Sequence, residues 1–209
     1  KKNFLMICGG IQATVNPNLI LDKYNNIDIV ISGESEKVLL EICKSENNQF
    51  DKIKGLTFRK NNKKIFNTGK QEIFNDLDFL CNYDYSVFDD QVFLRPYNGK
   101  IVRAVDYEIS RGCIYTCAYC VETVIQKYYD LDEHNSNGKL LKPKNYLRNK
   151  SAKKIFEELK YIVNNFQIEL FRCQDTNFLT IDRSTLIELS DLIDNSDLKI
   201  KLYIETRPE

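Results

Sequence analysis

The sequence predicts an α/β protein in two blocks, the C-terminal part of a doubly wound parallel sheet followed by the first half of a parallel (β/α) barrel. Short apolar runs alternate with stretches whose apolar residues recur every three or four positions, as strands and helices do. The alternation stops between residues 55 and 100, where two strand-like segments flank Asn61-Asn62 as in a hairpin. We therefore place the first domain, with its hairpin, at 1–70, a linker at 71–100 and the second domain at 101–209.

In the first block, strand-like runs and helix signals follow one another. Residues 4–8 and 27–31 are apolar runs, and glycine follows each of them closely. Asn16-Pro17 marks a helix start, because proline is tolerated in the first helical turn. Apolar residues between 38 and 42 then fall on a helical stripe. This order of strand, helix, strand, helix is typical of a doubly wound sheet.

The second block repeats the order around a cysteine-rich loop. The predicted elements are a strand at 105–110, the loop, a helix at 151–165, a strand at 168–173, a helix capped by Asp182 and a strand at 200–204. In parallel barrels the reactive groups collect at the C-terminal ends of the strands. The cysteines, Asp175 and Glu205 all follow predicted strands, so we expect them at that end.

Composition bears on the partners and the compartment. Lys plus Arg equals Asp plus Glu at 30 each, which gives no electrostatic case for nucleic acid or an anionic membrane. No run of 18 apolar residues occurs, and the apolar start is too short for a signal peptide, so we expect a cytoplasmic protein with no membrane contact. The chain starts with Lys and both ends look cut, which indicates a fragment.

The motif Cys113-Ile-Tyr-Thr-Cys117-Ala-Tyr119-Cys120 carries the strongest chemical signal. Three thiolates at this spacing can hold an iron–sulfur cluster and leave one iron of a cubane open. The competing interpretation is a zinc site, which needs a fourth ligand such as His134 or Cys173. We interpret the four cysteines outside the motif as small buried hydrophobic residues; they are Cys8, Cys43, Cys81 and Cys173.

With its lead-in Ser110-Arg111-Gly112, the cysteine motif resembles the signature of radical S-adenosylmethionine (SAM) enzymes. Residues 9–14 and 28–36 resemble the second half of the cobalamin-binding domain that precedes the barrel in one large subgroup of that family. Residues 171–178 and 203–209 resemble the second and third barrel strands of the same subgroup. The resemblance covers nearly the whole chain, which it identifies as parts of a cobalamin-binding domain and a radical SAM barrel.

The resemblance implies the cofactors and their contacts. A [4Fe-4S] cluster on Cys113, Cys117 and Cys120 would bind SAM, whose reductive cleavage gives a 5′-deoxyadenosyl radical. The SAM contacts it implies are Tyr119, Asp175, Asn177, Glu205 and Arg207. The cobalamin contacts it implies are Gly9, Gly10, Gly33 and Glu34. It implies a reductant such as flavodoxin or ferredoxin and a small-molecule or peptide substrate, while the catalytic side chains stay unassigned.

Three functions remain open on sequence alone. The first is a cobalamin-dependent radical SAM enzyme that transfers a methyl group to an unactivated carbon, or catalyses rearrangement or cyclisation. The second is a radical SAM methylthiotransferase acting on tRNA or a ribosomal protein, with Cys8, Cys43 and Cys81 near a second cluster. The third is a zinc-stabilised binding module. His134 is interpreted as a surface loop residue rather than a cobalt ligand, and the seven basic residues between 139 and 154 as a solvated stretch.

Overall fold

The computed structural model describes residues 4–45, 49–60 and 64–207. The chain forms two compact units, each built from two segments: Lys1–Phe74 with Tyr115–Lys142, and Asn75–Ile114 with Pro143–Glu209. The segment after Cys113 therefore groups with the first unit. The domain boundaries proposed at residues 70 and 100 stay a prediction.

The first unit contains a four-stranded sheet with helices on both faces. Its elements are β1 (Ile7–Cys8), α1 (Ile11–Val15), α2 (Pro17–Lys23), β2 (Ile29–Ile31), α3 (Glu36–Lys44), β3 (Leu56–Arg59), β4 (Ile65–Asn67) and α4 (Glu122–Tyr128). The strands lie in chain order, with β1 and β2 parallel and both β3 and β4 antiparallel to their neighbours. The predicted hairpin is thus formed, and its predicted turn at Asn61-Asn62 lies outside the described residues.

Strand β2 carries the core of the first unit because it is buried on both faces. Successive side chains of a strand point to opposite faces. Ile29 and Ile31 accordingly pack in the cluster that contains α3, whereas Val30 packs in the cluster that contains α1 and α2. The result is a three-layer α/β/α arrangement in which the loops after β1 and β2 leave the same edge of the sheet.

The second unit contains a four-stranded sheet and a short two-stranded ribbon. Its elements are β5 (Leu94–Tyr97), β6 (Lys100–Tyr107), β7 (Ser110–Arg111), β8 (Arg148–Asn149), α5 (Ala152–Phe166), β9 (Leu170–Cys173), α6 (Arg183–Asp194) and β10 (Lys201–Tyr203). The sheet order is β10-β9-β6-β5, and β6, β9 and β10 are parallel. These three strands and the helices between them match the predicted opening of a barrel.

Within the predicted linker, Leu94–Tyr97 form the strand β5. β5 pairs antiparallel with β6 through a tight turn at Asn98-Gly99, where both residues have positive φ. Asn-Gly is a strong hairpin signal, but the hairpin was not predicted from the sequence.

The two long helices of the second unit differ in their caps. Ser151 caps α5 by accepting from the Lys154 backbone N–H at 3.2 Å. Asp182 occupies the predicted cap position of α6, but its side chain makes no capping hydrogen bond within the described part of the chain.

A buried ion pair anchors α5 to β6. Lys150 and Glu158 are each 1% exposed, with Lys150 Nζ 2.7 Å from Glu158 Oε2. The Tyr107 hydroxyl donates to the same oxygen at 2.6 Å, and the Lys150 ammonium lies 4.7 Å from the ring centres of both Tyr83 and Tyr107. The basic stretch is therefore not solvated throughout: burial lowers the pKa of Lys150, while its pairing with Glu158 opposes that shift.

Among the helices that the structure describes, none combines the length and apolar character needed to cross a bilayer.

Candidate cofactor site

The cysteine loop starts from a ribbon that fixes its backbone. β7 pairs antiparallel with β8, with Ser110 opposite Asn149 and Arg111 opposite Arg148. The backbone N–H of Lys150 donates to the carbonyl of Ile109 at 3.0 Å and extends this pairing. Cys113, two residues after β7, is 7% exposed. Its backbone position therefore follows from a hydrogen-bonded strand end.

Asp175 holds the same strand end from the loop after β9. One carboxylate oxygen, Oδ1, accepts from the Ser110 hydroxyl at 2.6 Å, from the Ser110 backbone N–H and from the Ile109 backbone N–H at 3.2 Å. The residue is buried, and its other oxygen, Oδ2, has no hydrogen-bond partner among the described residues. Burial raises the pKa of Asp175, and the three donated hydrogen bonds oppose that shift.

Gly112 is required by its backbone conformation and by its surroundings. Its φ is +94°, a region that residues with a Cβ rarely adopt. A Cβ at this position would lie 2.5 Å from the carbonyl oxygen of Tyr146, a buried residue. The glycine that precedes Cys113 therefore lets the chain pass directly beneath the segment that leads into β8.

Cys117 and Cys120 lie at the two ends of one tight turn in the first unit. The Cys120 backbone N–H donates to the Cys117 carbonyl at 2.9 Å, and the Thr123 hydroxyl donates to the Cys120 carbonyl at 2.9 Å. Both cysteines are half-buried, and α4 starts two residues after Cys120. Tyr119 is 93% exposed, so its ring is available to a bound molecule and serves no packing role within the described chain.

The structure does not draw the three cysteines into a coordination geometry. In residues 4–45, 49–60 and 64–207, no group of three or more His, Cys, Asp or Glu side chains could hold a metal ion. The donor set itself fits an iron–sulfur cluster, because three thiols lie within eight residues on a loop held at Ser110 and at Thr123.

The remaining cysteines differ from one another in their surroundings. Cys43 and Cys81 are exposed, so interpreting them as buried hydrophobic residues was wrong. Cys173 lies in the core of the second unit, where burial raises the pKa of its thiol to about 12. His134, proposed beside Cys173 as a zinc ligand, is half-buried with Nε2 3.1 Å from Gln126 Oε1.

The other predicted SAM contacts lie on the loops after β9 and β10. Asn177 is buried, and its Oδ1 accepts from the Thr206 hydroxyl at 2.7 Å and lies 3.5 Å from the Arg207 backbone nitrogen. The Phe178 backbone N–H donates to the Glu205 carbonyl at 3.0 Å. Asn177 thus ties the two loops together, while the Glu205 side chain stays exposed. Their contact with SAM stays a prediction.

The glycines predicted to contact cobalamin differ in the free space around them. Gly10 has φ +93°, and a Cβ built there meets no atom within 4 Å, so its face is open to a ligand. Beside it, a Cβ on Gly9 would lie 3.0 Å from Ser35 Oγ. At Gly33, φ is +87° and a Cβ would lie 2.6 Å from both Gln71 Nε2 and Tyr129 Oη. The contacts of Gln71 and Tyr129 already fill the space beside Gly33. Between Gly33 and Gly10, only Gly10 has space for a ligand.

Thr14 joins these two glycine loops and was not singled out from the sequence. Its hydroxyl donates to the Gly10 carbonyl at 3.0 Å and accepts from the Gly33 backbone N–H at 2.8 Å. Glu34 accepts from the Phe74 backbone N–H at 3.3 Å. A threonine four residues after Gly10 on a short helix is the only sequence signal for this link, and that signal is weak.

Comparisons with known proteins agree with this architecture. No family model matches the chain. The chain is 26% identical over 212 aligned positions to an anaerobic magnesium-protoporphyrin IX monomethyl ester cyclase of Cereibacter sphaeroides, covering 98% of this chain and 31% of the cyclase. It is 23% identical over 208 positions to an uncharacterized methyltransferase of Pyrococcus horikoshii, of which it covers 40%. The chain thus spans about a third of the length of the curated relatives it matches.

Solved structures share the fold. The chain superposes with a TM-score of 0.57 on OxsB, a cobalamin-dependent SAM radical enzyme with aqua-cobalamin and SAM bound, at 14% identity, covering 95% of this chain and 25% of OxsB. The TM-score is 0.54 with TsrM of Kitasatospora setae, a radical SAM methyltransferase with cobalamin and a [4Fe-4S] cluster bound, at 17% identity, covering 92% of this chain and 33% of TsrM. At these identities the comparisons show a shared fold, which agrees with the expected α/β architecture.

Proposed function

We propose that the full-length protein is a cobalamin-dependent radical SAM enzyme and that this chain carries its cluster-binding loop. The observation that carries the proposal is the cysteine loop, which follows β6 and the short strand β7 and whose lead-in is fixed by Asp175 and Gly112. The fold shared with OxsB and TsrM supports the same function.

The proposed cluster ligands are Cys113, Cys117 and Cys120. When bound, the cluster and SAM supply reductive cleavage of a carbon–sulfur bond to a 5′-deoxyadenosyl radical. The chain's own contribution is to fix the ligand backbone: β7 with Asp175 sets Cys113, and the Cys117–Cys120 turn is held at the start of α4. The unpartnered Asp175 Oδ2 can accept a hydrogen bond from a bound polar group.

Cobalamin would contact the first unit at the loop after β1. Gly10 supports this assignment, because its Cβ direction is open and its backbone is held by Thr14. We propose methyl transfer or ring closure as the reaction, since relatives are named as a methyltransferase and as cyclases. A one-electron donor of the flavodoxin or ferredoxin class would supply the reducing electron to the full-length protein, whose substrate is a small molecule or a peptide.

The proposal is tested by anaerobic reconstitution of the full-length protein with iron and sulfide. We expect about four iron atoms per chain, and a loss of most of that iron in C113A, C117A and C120A. Cys43→Ala and Cys81→Ala are matched controls, because both cysteines are exposed and lie outside the loop. Iron retained in all three loop variants would overturn the proposal.

The same preparation separates the alternatives. A methylthiotransferase with a second cluster would bind about eight iron atoms per chain. A binding module would instead bind one tight zinc ion and no iron. Titration with hydroxocobalamin then tests the cobalamin assignment, and absence of binding to the reconstituted full-length protein would contradict it.

A further inference from the structure

Helix α4 connects the cysteine turn to the glycine loops of the first unit. At its start, the Thr123 hydroxyl holds the Cys120 carbonyl at 2.9 Å. The helix then runs through Tyr128, and Tyr129 follows as its C-terminal cap. An α-helix rises about 1.5 Å per residue, so the six steps from Glu122 to Tyr128 span about 9 Å. One short helix therefore separates Cys120 from the two tyrosines by a fixed length.

The two tyrosines grip the loop that contains Gly33. The Tyr128 hydroxyl donates to the Ser32 carbonyl at 3.1 Å, and the Tyr129 hydroxyl accepts from the Glu34 backbone N–H at 3.1 Å. The two rings pack edge to face with centroids 4.9 Å apart. Because Gly33 lacks a side chain, the Tyr129 hydroxyl can lie 2.6 Å from the position that a Cβ would occupy. The loop is thus held on both sides of its glycine.

Hydrogen bonds through Thr14 connect the Gly33 loop to Gly10. Gly33 donates to the Thr14 hydroxyl, which in turn donates to the Gly10 carbonyl. Helix α1, which carries Thr14, also packs against α4. A continuous path of hydrogen bonds and packed helices therefore runs from Gly10 to Tyr129 and along α4 to Cys120.

We propose that Tyr128 and Tyr129 are positioning residues that make α4 and the two glycine loops a single rigid element, so that cobalamin bound at Gly10 orders the helix that starts two residues after Cys120. This inference rests on the proposed function. Two hydroxyls on adjacent residues of one helix end meet backbone groups on either side of one glycine, a more specific arrangement than packing alone needs.

The test is hydrogen exchange in the full-length protein with and without saturating hydroxocobalamin. In the wild type we expect cobalamin to slow exchange both in residues 9–14 and in residues 121–129, the latter by about fivefold, the range of a typical coupling free energy. In Y128F/Y129F we expect slower exchange in residues 9–14 only. Loss of cobalamin binding in that variant would contradict this expectation, because slower exchange in residues 9–14 requires bound cobalamin.

Tyr24→Phe is the matched control, because Tyr24 is an exposed tyrosine of the same unit. The single variants Y128F and Y129F cover the case in which the double variant does not fold. Equal protection of residues 121–129 in wild type and variants would overturn the inference while leaving the proposed function intact. The same holds if the wild type binds cobalamin without protecting residues 121–129. Failure of the wild type to bind hydroxocobalamin would overturn both.

Discussion

Asp175 shows how one carboxylate can set the position of a cysteine that lies 62 residues earlier in the chain. Its Oδ1 accepts three hydrogen bonds from the strand end before Cys113. In D175A the buried donors of Ile109 and Ser110 lose their acceptor, which we expect to cost about 3 kcal/mol of unfolding free energy. We expect iron uptake on reconstitution to fall as well. Denaturant unfolding measures the loss of stability, and iron analysis measures the uptake.

Asp175→Asn is the informative companion variant. The amide retains an oxygen that can accept from Ser110, so we expect D175N to lose less stability and less iron than D175A. Wild-type stability and iron content in D175A would contradict the positioning role. A stable D175N that binds the cluster but loses SAM affinity would show that the unpartnered Oδ2 meets the cofactor.

Gly112 offers a second residue-level prediction. Gly112→Ala combines a strained positive φ with a clash against the Tyr146 carbonyl oxygen, so we expect a loss of about 2 to 4 kcal/mol and reduced iron uptake. Gly99→Ala is the matched control, because Gly99 has φ +74° and a Cβ there meets nothing within 4 Å. If both variants lose the same stability, the close approach to Tyr146 contributes nothing.

The cysteine motif can be recognised in the sequence, whereas the contacts of the residues around it cannot. The cysteine spacing and the Ser110-Arg111-Gly112 lead-in pointed to the loop, since both are local patterns. The hydrogen bonds between Asp175 and Ser110 were not predictable, because the two residues meet only when β9 pairs with β6. The sequence therefore suggests only a SAM contact for Asp175. In the structure its Oδ1 accepts hydrogen bonds from Ile109 and Ser110.

At the level of secondary structure, Glu158 links α5 to the sheet of the second unit, because its Oε2 accepts from Tyr107 of β6 and pairs with Lys150. Lys150→Met removes the nearer of two cations from the buried Glu158 carboxylate, while Lys154 Nζ still lies 3.3 Å from Glu158 Oε1. We therefore expect K150M to lose about 2 to 3 kcal/mol, the contribution of a buried hydrogen bond to a charged group. Replacing both, as in K150M/E158L, should recover part of that loss. Denaturant unfolding measures both effects.

Lys153→Met is the control for this pair. Lys153 lies on the same helix, but its ion pair with Glu157 is exposed and 4.0 Å long. Such surface pairs contribute little, so we expect no measurable change. If K150M and K153M are equally stable, the buried pair does not anchor the helix.

The secondary structure was largely predictable, whereas strand partners were not. Apolar periodicity predicted α5 and α6 because each buries one stripe against the sheet. Periodicity carries no information on direction or partner, which is why the antiparallel pairing of β3 with β2 was not foreseen. The sequence did not indicate β5 (Leu94–Tyr97), because the segment contains a proline, which is unfavourable within strands. The strand is also only partly buried, so it lacks a strong apolar pattern.

At the scale of the whole molecule, each of the two units is built from two separate segments of the chain. Residues 115–142 follow Cys113 yet belong to the unit that contains the glycine loops. A sequence read in order assigns that segment to the second domain, since nothing local in it marks the change of unit. The boundary between the two units therefore falls within the cysteine motif, after residue 114.

The most direct test is anaerobic SAM cleavage by the reconstituted full-length protein with a strong reductant. The account predicts 5′-deoxyadenosine from the wild type and from C43A, and none above background from C113A, C117A or C120A. A fully loaded wild-type cluster that yields no 5′-deoxyadenosine, or equal yields from the loop variants, would contradict the account.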